Sequence, residues 1–309
     1  MRRGIGPFLP LGVLLALLAA MGAVEPSFLS LDNFSLLAGE SSVILLLATG
    51  QTLVLLLGGI DLSMAALAAL VSVLIALALP TMGAGAVVGA LALSTLLGAV
   101  QGVLHARAQL PSVVVTLAGL GLWSGIALAI AHSTIPISAG YFAIGWLEGS
   151  SFGVPHAFAF AAAALGVLAA LMHWLPLGRM VYAIGLNPKV AILSGIRVGR
   201  VKILAFAVSG LFSGLAGMAM AARTYSGNPS IVDSLLLPSI TAVLIGGTAM
   251  TGGVGGFART LVGVLTVTVL RIGIAAIGID PAYEPIVYGV LAIAAVALSA
   301  DRSAIFVLK

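Results

Sequence analysis

The chain has 309 residues, of which 61% are hydrophobic and only 7% are charged, and its mean hydropathy is +1.25. Soluble domains carry about 25% charged residues, so the composition excludes a soluble enzyme and predicts an all-α polytopic membrane protein. The net charge of +4 gives no indication of nucleic-acid binding, and the absence of cysteine excludes disulfides and thiolate chemistry. We expect residues 1–309 to form a single transmembrane domain, with any nucleotide hydrolysis left to other chains.

Ten apolar segments predict ten membrane helices. The first, residues 8–24, follows Arg2 and Arg3 and has features of a signal peptide, with a small-residue site at residues 20–22. Its apolar core is long for a signal, which favours an uncleaved helix. Residues 235–245 are too few to cross the hydrocarbon alone, so this segment either extends toward Thr251 or forms a half-helix. The other eight segments are 34–57, 63–79, 84–105, 113–131, 157–175, 201–222, 257–277 and 286–300.

The lysine and arginine residues predict the orientation of these spans. With the N-terminus in the cytoplasm, alternation leaves only Arg223 and Arg271 outside, whereas the basic residues inside are Arg2, Arg3, Arg107, Arg179, Lys189, Arg197, Arg200, Lys202, Arg259, Arg302 and Lys309. The acidic residues that fall outside are Glu25, Asp32, Glu148, Asp233, Asp280 and Glu284. We therefore predict that both termini are cytoplasmic.

The segment from Gly58 to Ser63, GGIDLS, joins the second and third apolar segments. Its two glycines can break the preceding helix, and Asp61 or Ser63 can cap the next one, which is the structural interpretation. In the functional alternative, Asp61 belongs to a gate at the cytoplasmic end of a pathway. A charge at mid-bilayer costs about 2.5–3.5 kcal/mol on insertion scales, so we expect Asp61 to be interfacial or hydrated.

Uncharged polar residues inside the spans are the candidates for a translocation pathway, although each can instead bond to a neighbouring helix. They are Gln51, Thr52, Gln101, Thr116 and Ser124. A proton- or sodium-coupled carrier usually needs Asp, Glu or His deep in the bundle. Here Glu40 and Asp61 lie near span ends, and Arg271 lies toward the outer end of its span. The chain thus lacks an evident internal site for energy coupling.

Small residues recur every fourth position in the segment 201–222, and they predict either tight packing within the subunit or a dimer seam. They are Ser209, Ser213, Gly217 and Ala221, beside the pair Gly210 and Gly214. Gly98 and Gly102 repeat the spacing in the segment 84–105. Tight packing is the favoured interpretation for both segments.

Two connections carry further signals. Residues 245–256 hold six glycines but lack the Gly-Lys-Ser/Thr of a phosphate loop, so they predict a mobile or closely packed turn beside an ATPase or between subunits. The outer connection, 132–156, holds Tyr141, Trp146 and Glu148, which suit an aromatic belt at the membrane interface or a docking protein. The four histidines lack metal-ligand spacing, so we predict no metal site.

The longest polar interruption runs from Gly178 to Lys202 and is basic. Asn187 suits an N-cap, Pro188 suits the first helical position, and Gly195 can end the helix in a left-handed conformation. This helix of about two turns cannot span a bilayer. The residues near one side of it are Val190, Ile192 and Leu193. We predict that it docks into a cytoplasmic ATPase, which supplies the work that the spans cannot.

Four stretches closely resemble the ribose-type branch of bacterial ABC importer permeases. They are TGQTLVLLLGGIDLS, LPSVVVTLAGLGLWSGIAL, GRMVYAIGLNPKVAILSGIRVGRVKILAF and IGGTAMTGGVGG. The resemblance covers the chain from about Leu31 to Leu298. The wider family includes branched-chain amino-acid permeases, but the Ile-Asp-Leu-Ser wording is more similar to the sugar branch, which also includes autoinducer-2 permeases. Met64 and Ala65 depart from the small residue and glycine of these relatives and predict a stiffer start to the third span.

The resemblance implies ten helices in two inverted halves, like a type II ABC importer. It implies a homodimer or heterodimer of permeases in the bacterial inner membrane, a periplasmic binding protein, and two ATPase subunits that bind ATP and Mg, so that this chain needs no cofactor. The loop 178–202 would carry the coupling helix. The residues assigned to ATPase coupling are Arg179, Asn187, Pro188, Ala191, Ser194 and Gly195.

We therefore expect a non-enzymatic permease subunit that imports a monosaccharide-like solute. A branched-chain amino-acid or autoinducer-2 permease is the nearest alternative. An ion-coupled secondary transporter would drive uptake without any ATPase. A non-transport scaffold would not need the polar residues inside the spans.

Overall fold

The computed structural model describes residues 8–230 and 232–299. Helices dominate this part of the chain, in the order α1 (Leu9–Val24), α2 (Leu31–Leu56), α3 (Met64–Met82), α4 (Ala84–Arg107), α5 (Ser112–Ile130), α6 (Phe142–Gly145), α7 (His156–Trp174), α8 (Pro176–Leu186), α9 (Pro188–Leu193), α10 (Val198–Thr224), α11 (Val232–Ile245), α12 (Phe257–Ala276) and α13 (Glu284–Ser299). Four two-residue strands are β1 (Ile135–Pro136), β2 (Ser150–Ser151), β3 (Val154–Pro155) and β4 (Ser226–Gly227). Strand β1 pairs antiparallel with β4, and β2 with β3.

The structure confirms a polytopic all-α membrane protein. In the described part of the chain, seven helices are long and apolar enough to cross a membrane: α2, α3, α4, α5, α7, α10 and α12. Three shorter apolar helices among the described residues, Leu9–Val24, Ser234–Ile245 and Pro281–Ala297, occupy the remaining positions of the predicted series of ten. Arg2, Arg3, Arg302, Lys309 and the end of the last predicted segment lie outside the described residues.

Helices α2 and α10 form an antiparallel pair at the centre of the bundle. The outer half of α2 meets the end of α10, where Glu40 pairs with Arg223, and further along Gly50 packs against Ser209 and Phe212. Each of these two central helices also packs against helices that follow the other one in the chain. Helix α10 contacts α3 and α4, which follow α2, and helix α2 contacts α11 and α12, which follow α10. The two inverted halves that the resemblance implies stay a prediction.

The small residues of α4 and α10 let the two backbones touch within the subunit. A methyl group added at Gly210 would collide with the backbone oxygen of Ser94, and one added at Gly102 would lie 2.8 Å from the Cα atom of Ile203. Gly217 meets α3 in the same way, where a methyl group would lie 2.9 Å from the Cβ atom of Val71. These residues are buried inside the subunit, so they do not form a dimer seam.

Several predicted boundaries are corrected. The polar stretch from Gly178 to Lys202 is not one loop, because it contains most of α8, all of α9 and the first turn of α10. Arg200 and Lys202 belong to α10. A helix end tolerates such residues, because their long side chains can bury the apolar stem while the charge reaches water. Helix α11 ends at Ile245 and does not extend to Thr251. Helix α3 begins directly at Met64.

Helix alternation gives the bundle two ends with different charge. The inner end, defined by α8 and α9, carries seven of the nine described basic residues: Arg107, Arg179, Lys189, Arg197, Arg200, Lys202 and Arg259. The outer end, defined by α6 and the four strands, carries the other two, Arg223 and Arg271. Helix α1 packs against α12, where Met21 covers Gly273, so it forms part of the bundle.

Candidate functional site

The short helix α9 stands at the inner end with the local structure that its sequence predicts. The Asn187 side chain accepts hydrogen bonds from the backbone N–H groups of Lys189 and Val190, at 3.1 and 3.2 Å. Pro188 is the first helical residue, and Gly195 has a φ of +80°, which favours glycine. The N–H of Ile196 then bonds to the carbonyl of Ala191 and closes the turn. These interactions fix the helix without help from another chain.

One side of α9 is anchored, and the other presents apolar side chains to the surroundings. Ala191 is only 2% exposed, whereas Leu193 is 87%, Ile192 is 60% and Val190 is 56% exposed. A groove of about 540 Å³ separates α9 from α8, with Arg179 and Asn187 in its wall. A second groove of about 410 Å³ lies on the other side of α9, against the inner ends of α4, α5 and α10. Exposed apolar residues between two grooves suit a partner surface.

Helix α8 joins α9 to the body of the protein through a backbone-to-backbone contact, here called the glycine joint. Its members are Leu56, Gly58, Gly185, Gly252 and Gly253. The N–H of Gly253 donates to the carbonyl of Leu56 at 2.9 Å. A methyl group on Gly185 would collide with that same carbonyl. Gly252 has a φ of +82°, and a methyl group there would lie 3.0 Å from the Cα atom of Gly185. The glycine-rich turn is thus closely packed.

Tyr182 fastens α8 to the same turn. Its hydroxyl donates to the carbonyl of Gly255 at 3.1 Å. Burial raises the pKa of Tyr182, and the positive charge of Arg259 opposes this shift only partly. The hydroxyl therefore stays protonated at neutral pH and remains a donor. Only Asn187 separates α8 from α9, so α9 is joined directly to the helix that contacts the glycine joint.

The loop between α2 and α3, residues 57–63, turns back from the glycine joint into the bundle and buries Asp61. The carboxylate accepts from the backbone N–H of Ser63 at 2.9 Å, from the Ser63 hydroxyl at 2.6 Å and from the Ser209 hydroxyl of α10 at 2.7 Å. The Asp61 N–H donates to Gln51 Oε1 at 3.2 Å. Asp61 is 2% exposed. It lies inside the protein, not at the surface of the bundle.

The six predicted pathway residues divide into three groups. Gln51, Asp61 and Gln101 belong to one buried network, because Gln101 Oε1 lies 3.0 Å from the Ser63 hydroxyl. Thr116 is tied to the same loop through the carbonyl of Ile60, at 3.2 Å. Thr52 instead pairs with Thr260 of α12 at 2.6 Å. Ser124 is half-buried on α5 and stands apart from the network.

The outer end is held by ion pairs and by the folded outer connection. Glu40 pairs with Arg223, and Arg271 lies 3.7 Å from Glu40 and 3.5 Å from Glu284. The Tyr141 ring stacks on Tyr225 at a centroid distance of 4.5 Å. Trp146 packs edge-on against Phe160 at 5.5 Å. A cleft of about 270 Å³ opens beside Glu40, Glu148 and Arg223.

Comparison with known proteins decides the family. The family model described as "Branched-chain amino acid transport system / permease component" matches residues 33–296. The chain belongs to this permease family. No solved structure matches the permease.

Three relatives are similar over most of their length. The ribose import permease RbsC of Bacillus subtilis (strain 168) is 34% identical, over 97% of this permease and 94% of the relative. RbsC of Escherichia coli (strain K12) is 33% identical, over 92% and 90%. The fructose import permease FrcC of Rhizobium meliloti is 34% identical, over 94% and 84%. The resemblance to the sugar branch is confirmed, and these relatives support a monosaccharide ABC transporter permease.

Sequence reasoning missed several residues that the permease brings to these sites. Ser209 was recognised only as a small packing residue, yet it bonds to Asp61, which is 148 positions away in the chain. Trp123 was not singled out, although it is 7% exposed and lies beside Gln101. Gly185 shows no motif of its own. Only the fold shows its role, because the fold brings the coupling stretch that contains Gly185 against the glycine-rich turn.

Proposed function

We propose that this chain is the membrane subunit of an ATP-driven importer that moves a monosaccharide-like solute into the cytoplasm. The family match supports a transport permease, and the printed names of the relatives, which import ribose and fructose, support a sugar as the cargo. Described residues that could supply ion coupling are tied up in structure: Asp61 accepts three hydrogen bonds, and Arg271 is paired with glutamates. These contacts give each group a structural role, and we propose that the energy for transport enters from a partner.

The single observation that carries the proposal is α9. A self-capped helix with 87% exposure of Leu193 suits insertion into a groove on another protein. We infer that this protein is an ABC ATPase, with Asn187, Pro188, Ser194 and Gly195 shaping the contact and Ala191 turned inward. Arg179, in the groove beside α9, supplies positive charge at its edge. Two such ATPase subunits would bind ATP and Mg, and this chain would hold neither.

The remaining parts of the machine follow from this assignment. A second permease, identical or paralogous, completes the pathway, and access alternates as the ATPases close and open. A periplasmic binding protein delivers the solute to the outer end. The basic inner end faces the cytoplasm and the acidic outer end faces the periplasm, in accordance with the positive-inside rule. The complex lies in the inner membrane of a bacterium.

The test changes the exposed face of α9 while leaving its cap intact. Leu193→Asp places a charge where an apolar contact is proposed, and we expect it to release the ATPase or to uncouple ATP hydrolysis from uptake, with a large loss of uptake per ATP. Leu193→Met keeps an apolar side chain at the same position and should transport like the wild type. The measurement is sugar uptake and ATP hydrolysis by the reconstituted complex.

Two outcomes would contradict the proposal. Unchanged coupling in Leu193→Asp would remove α9 from the contact. Uptake by the permease alone, driven by an ion gradient, would instead favour a secondary transporter. Correct insertion of Leu193→Asp is checked by its yield in the membrane relative to Leu193→Met.

A further inference from the structure

The network around Asp61 contains a contact that its hydrogen atoms do not satisfy. Ser63 has one hydroxyl proton but lies beside two acceptors, Asp61 Oδ1 at 2.6 Å and Gln101 Oε1 at 3.0 Å. The contact to Asp61 is the shorter of the two, so the Ser63 proton is assigned to the Asp61 oxygen. The oxygens of Ser63 and Gln101 are then left facing each other without a proton between them.

Two nearby hydrogen-bond donors lack an acceptor. Gln101 Nε2 and Trp123 Nε1 are both buried, and neither has a hydrogen-bond partner within the described residues. They converge on the same point of α5: a methyl group added at Gly119 would collide with Gln101 Nε2 and would lie 3.1 Å from Trp123 Nε1. Buried N–H groups without acceptors cost about 1–3 kcal/mol each. A native structure avoids this cost where a rearrangement allows it.

A half-turn of the Gln101 amide removes all of these conflicts. The nitrogen and oxygen of an amide occupy nearly the same space, and the network decides which is where. After the half-turn, Gln101 Nε2 donates to the Ser63 hydroxyl, and Gln101 Oε1 replaces the nitrogen that faced Trp123. The Gln101 oxygen then lies beside the same point of α5 as the indole N–H, so an acceptor stands next to that donor.

We propose that Trp123, Gln101 and Ser63 form a directed relay of hydrogen bonds that ends on Asp61, and that Gln101 and Trp123 are positioning residues for the loop 57–63. Every donor in the relay points toward the carboxylate. Such chains polarise one another and strengthen in a low-dielectric interior. The relay and the Ser209 hydroxyl together bring hydrogen-bond donors to both oxygens of the buried Asp61 side chain.

The relay has a mechanical consequence that rests on the proposed function. At its start, the loop 57–63 is held by the glycine joint to α8, and therefore to α9. In the middle of the loop, the Ile60 N–H donates to the Ser112 hydroxyl at 3.1 Å, and the Thr116 hydroxyl donates to the Ile60 carbonyl at 3.2 Å; both partners belong to α5. The relay adds a third attachment, higher on α5, at Trp123. A displacement of α9 is thus passed through the loop to α5 as a rigid body.

The first experiment tests the relay without any partner or substrate. The full chain, labelled with ¹⁵N-tryptophan in nanodiscs, gives three indole N–H resonances, which Trp146→Phe and Trp174→Phe assign. Gln101→Leu removes the acceptor, so we expect the Trp123 resonance to move upfield while the other two stay. Gln101→Glu keeps an acceptor and should leave Trp123 close to its wild-type position. No movement in Gln101→Leu, or equal movement in both variants, would overturn the relay.

The second experiment tests the positioning role in the complete transporter. Gly119→Ala pushes the Gln101 amide away, and we expect uptake per ATP to fall about tenfold, as for the loss of one or two buried hydrogen bonds. Gly121→Ala is the matched control, since a methyl group there meets no described atom within 4 Å. Gln101→Leu should reproduce the loss if Gly119→Ala does not fold. Gln101→Glu keeps the acceptor for Trp123 but has no N–H to donate to Ser63, so it should not restore coupling.

The two experiments separate the two proposals. If Gln101→Leu moves the Trp123 resonance but transports with wild-type coupling, the positioning role is overturned. If the wild-type complex shows no ATP-driven uptake, the importer proposal fails, while the resonance data still decide whether the relay exists.

Discussion

At the scale of single residues, glycine decides how closely the helices of this bundle approach. Lipid supplies no hydrophobic force between helices, so association depends on close packing. Gly98 of α4 and Gly210 of α10 face each other, and a methyl group on either would lie 3.0 Å from the Cα atom of the other. The contact is too tight for any other residue.

This contact predicts a selective loss of stability. Gly210→Ala forces a methyl group into the backbone of Ser94, and overpacking of this kind typically costs about 1–3 kcal/mol. Gly89→Ala is the control, because it lies on α4 with no described atom within 4 Å of the new methyl group. Thermal unfolding in detergent should show a lower Tm for Gly210→Ala alone. Equal Tm values would mean that α4 and α10 lie farther apart than described.

The residue scale also shows where sequence reasoning stops. The Asn187 cap, Pro188 and Gly195 were predicted correctly, because a cap depends on neighbours within a few positions. The partners of Asp61 were not, since Ser209 and Gln101 come from distant helices. The same small-residue spacing that suggested packing or a dimer seam could not say which helix lay opposite. Only the fold gives Gly210 its neighbour.

At the scale of elements, the inner ends of α4 and α10 enclose one side of α9. Gly199 lies in the first turn of α10, and a Cβ atom there would be 3.9 Å from the Cβ atom of Ala106. This separation suits a disulfide. The chain has no cysteine of its own, so an introduced pair reacts without competition.

We therefore predict that Ala106→Cys with Gly199→Cys forms a disulfide under mild oxidation. The pair Gly89→Cys with Gly199→Cys should not, because 17 residues of helix place Gly89 about 26 Å from Ala106. Free thiols counted by mass spectrometry after alkylation distinguish the two pairs. Retention of both thiols in the first pair would contradict the described contact between α4 and the start of α10.

Element boundaries were predictable where hydrophobicity changes sharply and were missed where it does not. Within the described residues, the predicted apolar segments recur as seven helices long enough to cross a membrane and three shorter apolar helices. The sequence did not predict helix α8. Residues Gly178 to Leu186 include glycine, arginine and tyrosine, and this composition favoured a polar loop. The fold turns it into a helix that is half-buried against the glycine joint. Helix α11 stays short because the glycine-rich turn begins directly after Ile245.

At the scale of the whole molecule, the charge asymmetry predicts which end faces the cytoplasm. Ser194→Cys at the inner end and Ser150→Cys at the outer end are both exposed positions. In intact spheroplasts, a membrane-impermeant maleimide should label Ser150→Cys at once and Ser194→Cys only after permeabilisation. The native chain, which lacks cysteine, is the blank. The reverse labelling pattern would invert the proposed orientation and remove α9 from the ATPase side.

The glycine joint is built almost entirely from backbone atoms. Binding of a partner and transmission of a movement can therefore depend on different parts of the chain. In the proposed importer, the side chains of α9 would recognise the ATPase, whereas the backbone of Leu56, Gly185 and Gly253 would transmit the movement. We therefore expect that the exposed residues of α9 can be substituted without changing the backbone contacts of the glycine joint. We predict that a chimaera that receives only residues 188–194 from another permease couples uptake to that permease's ATPase and still imports its original sugar.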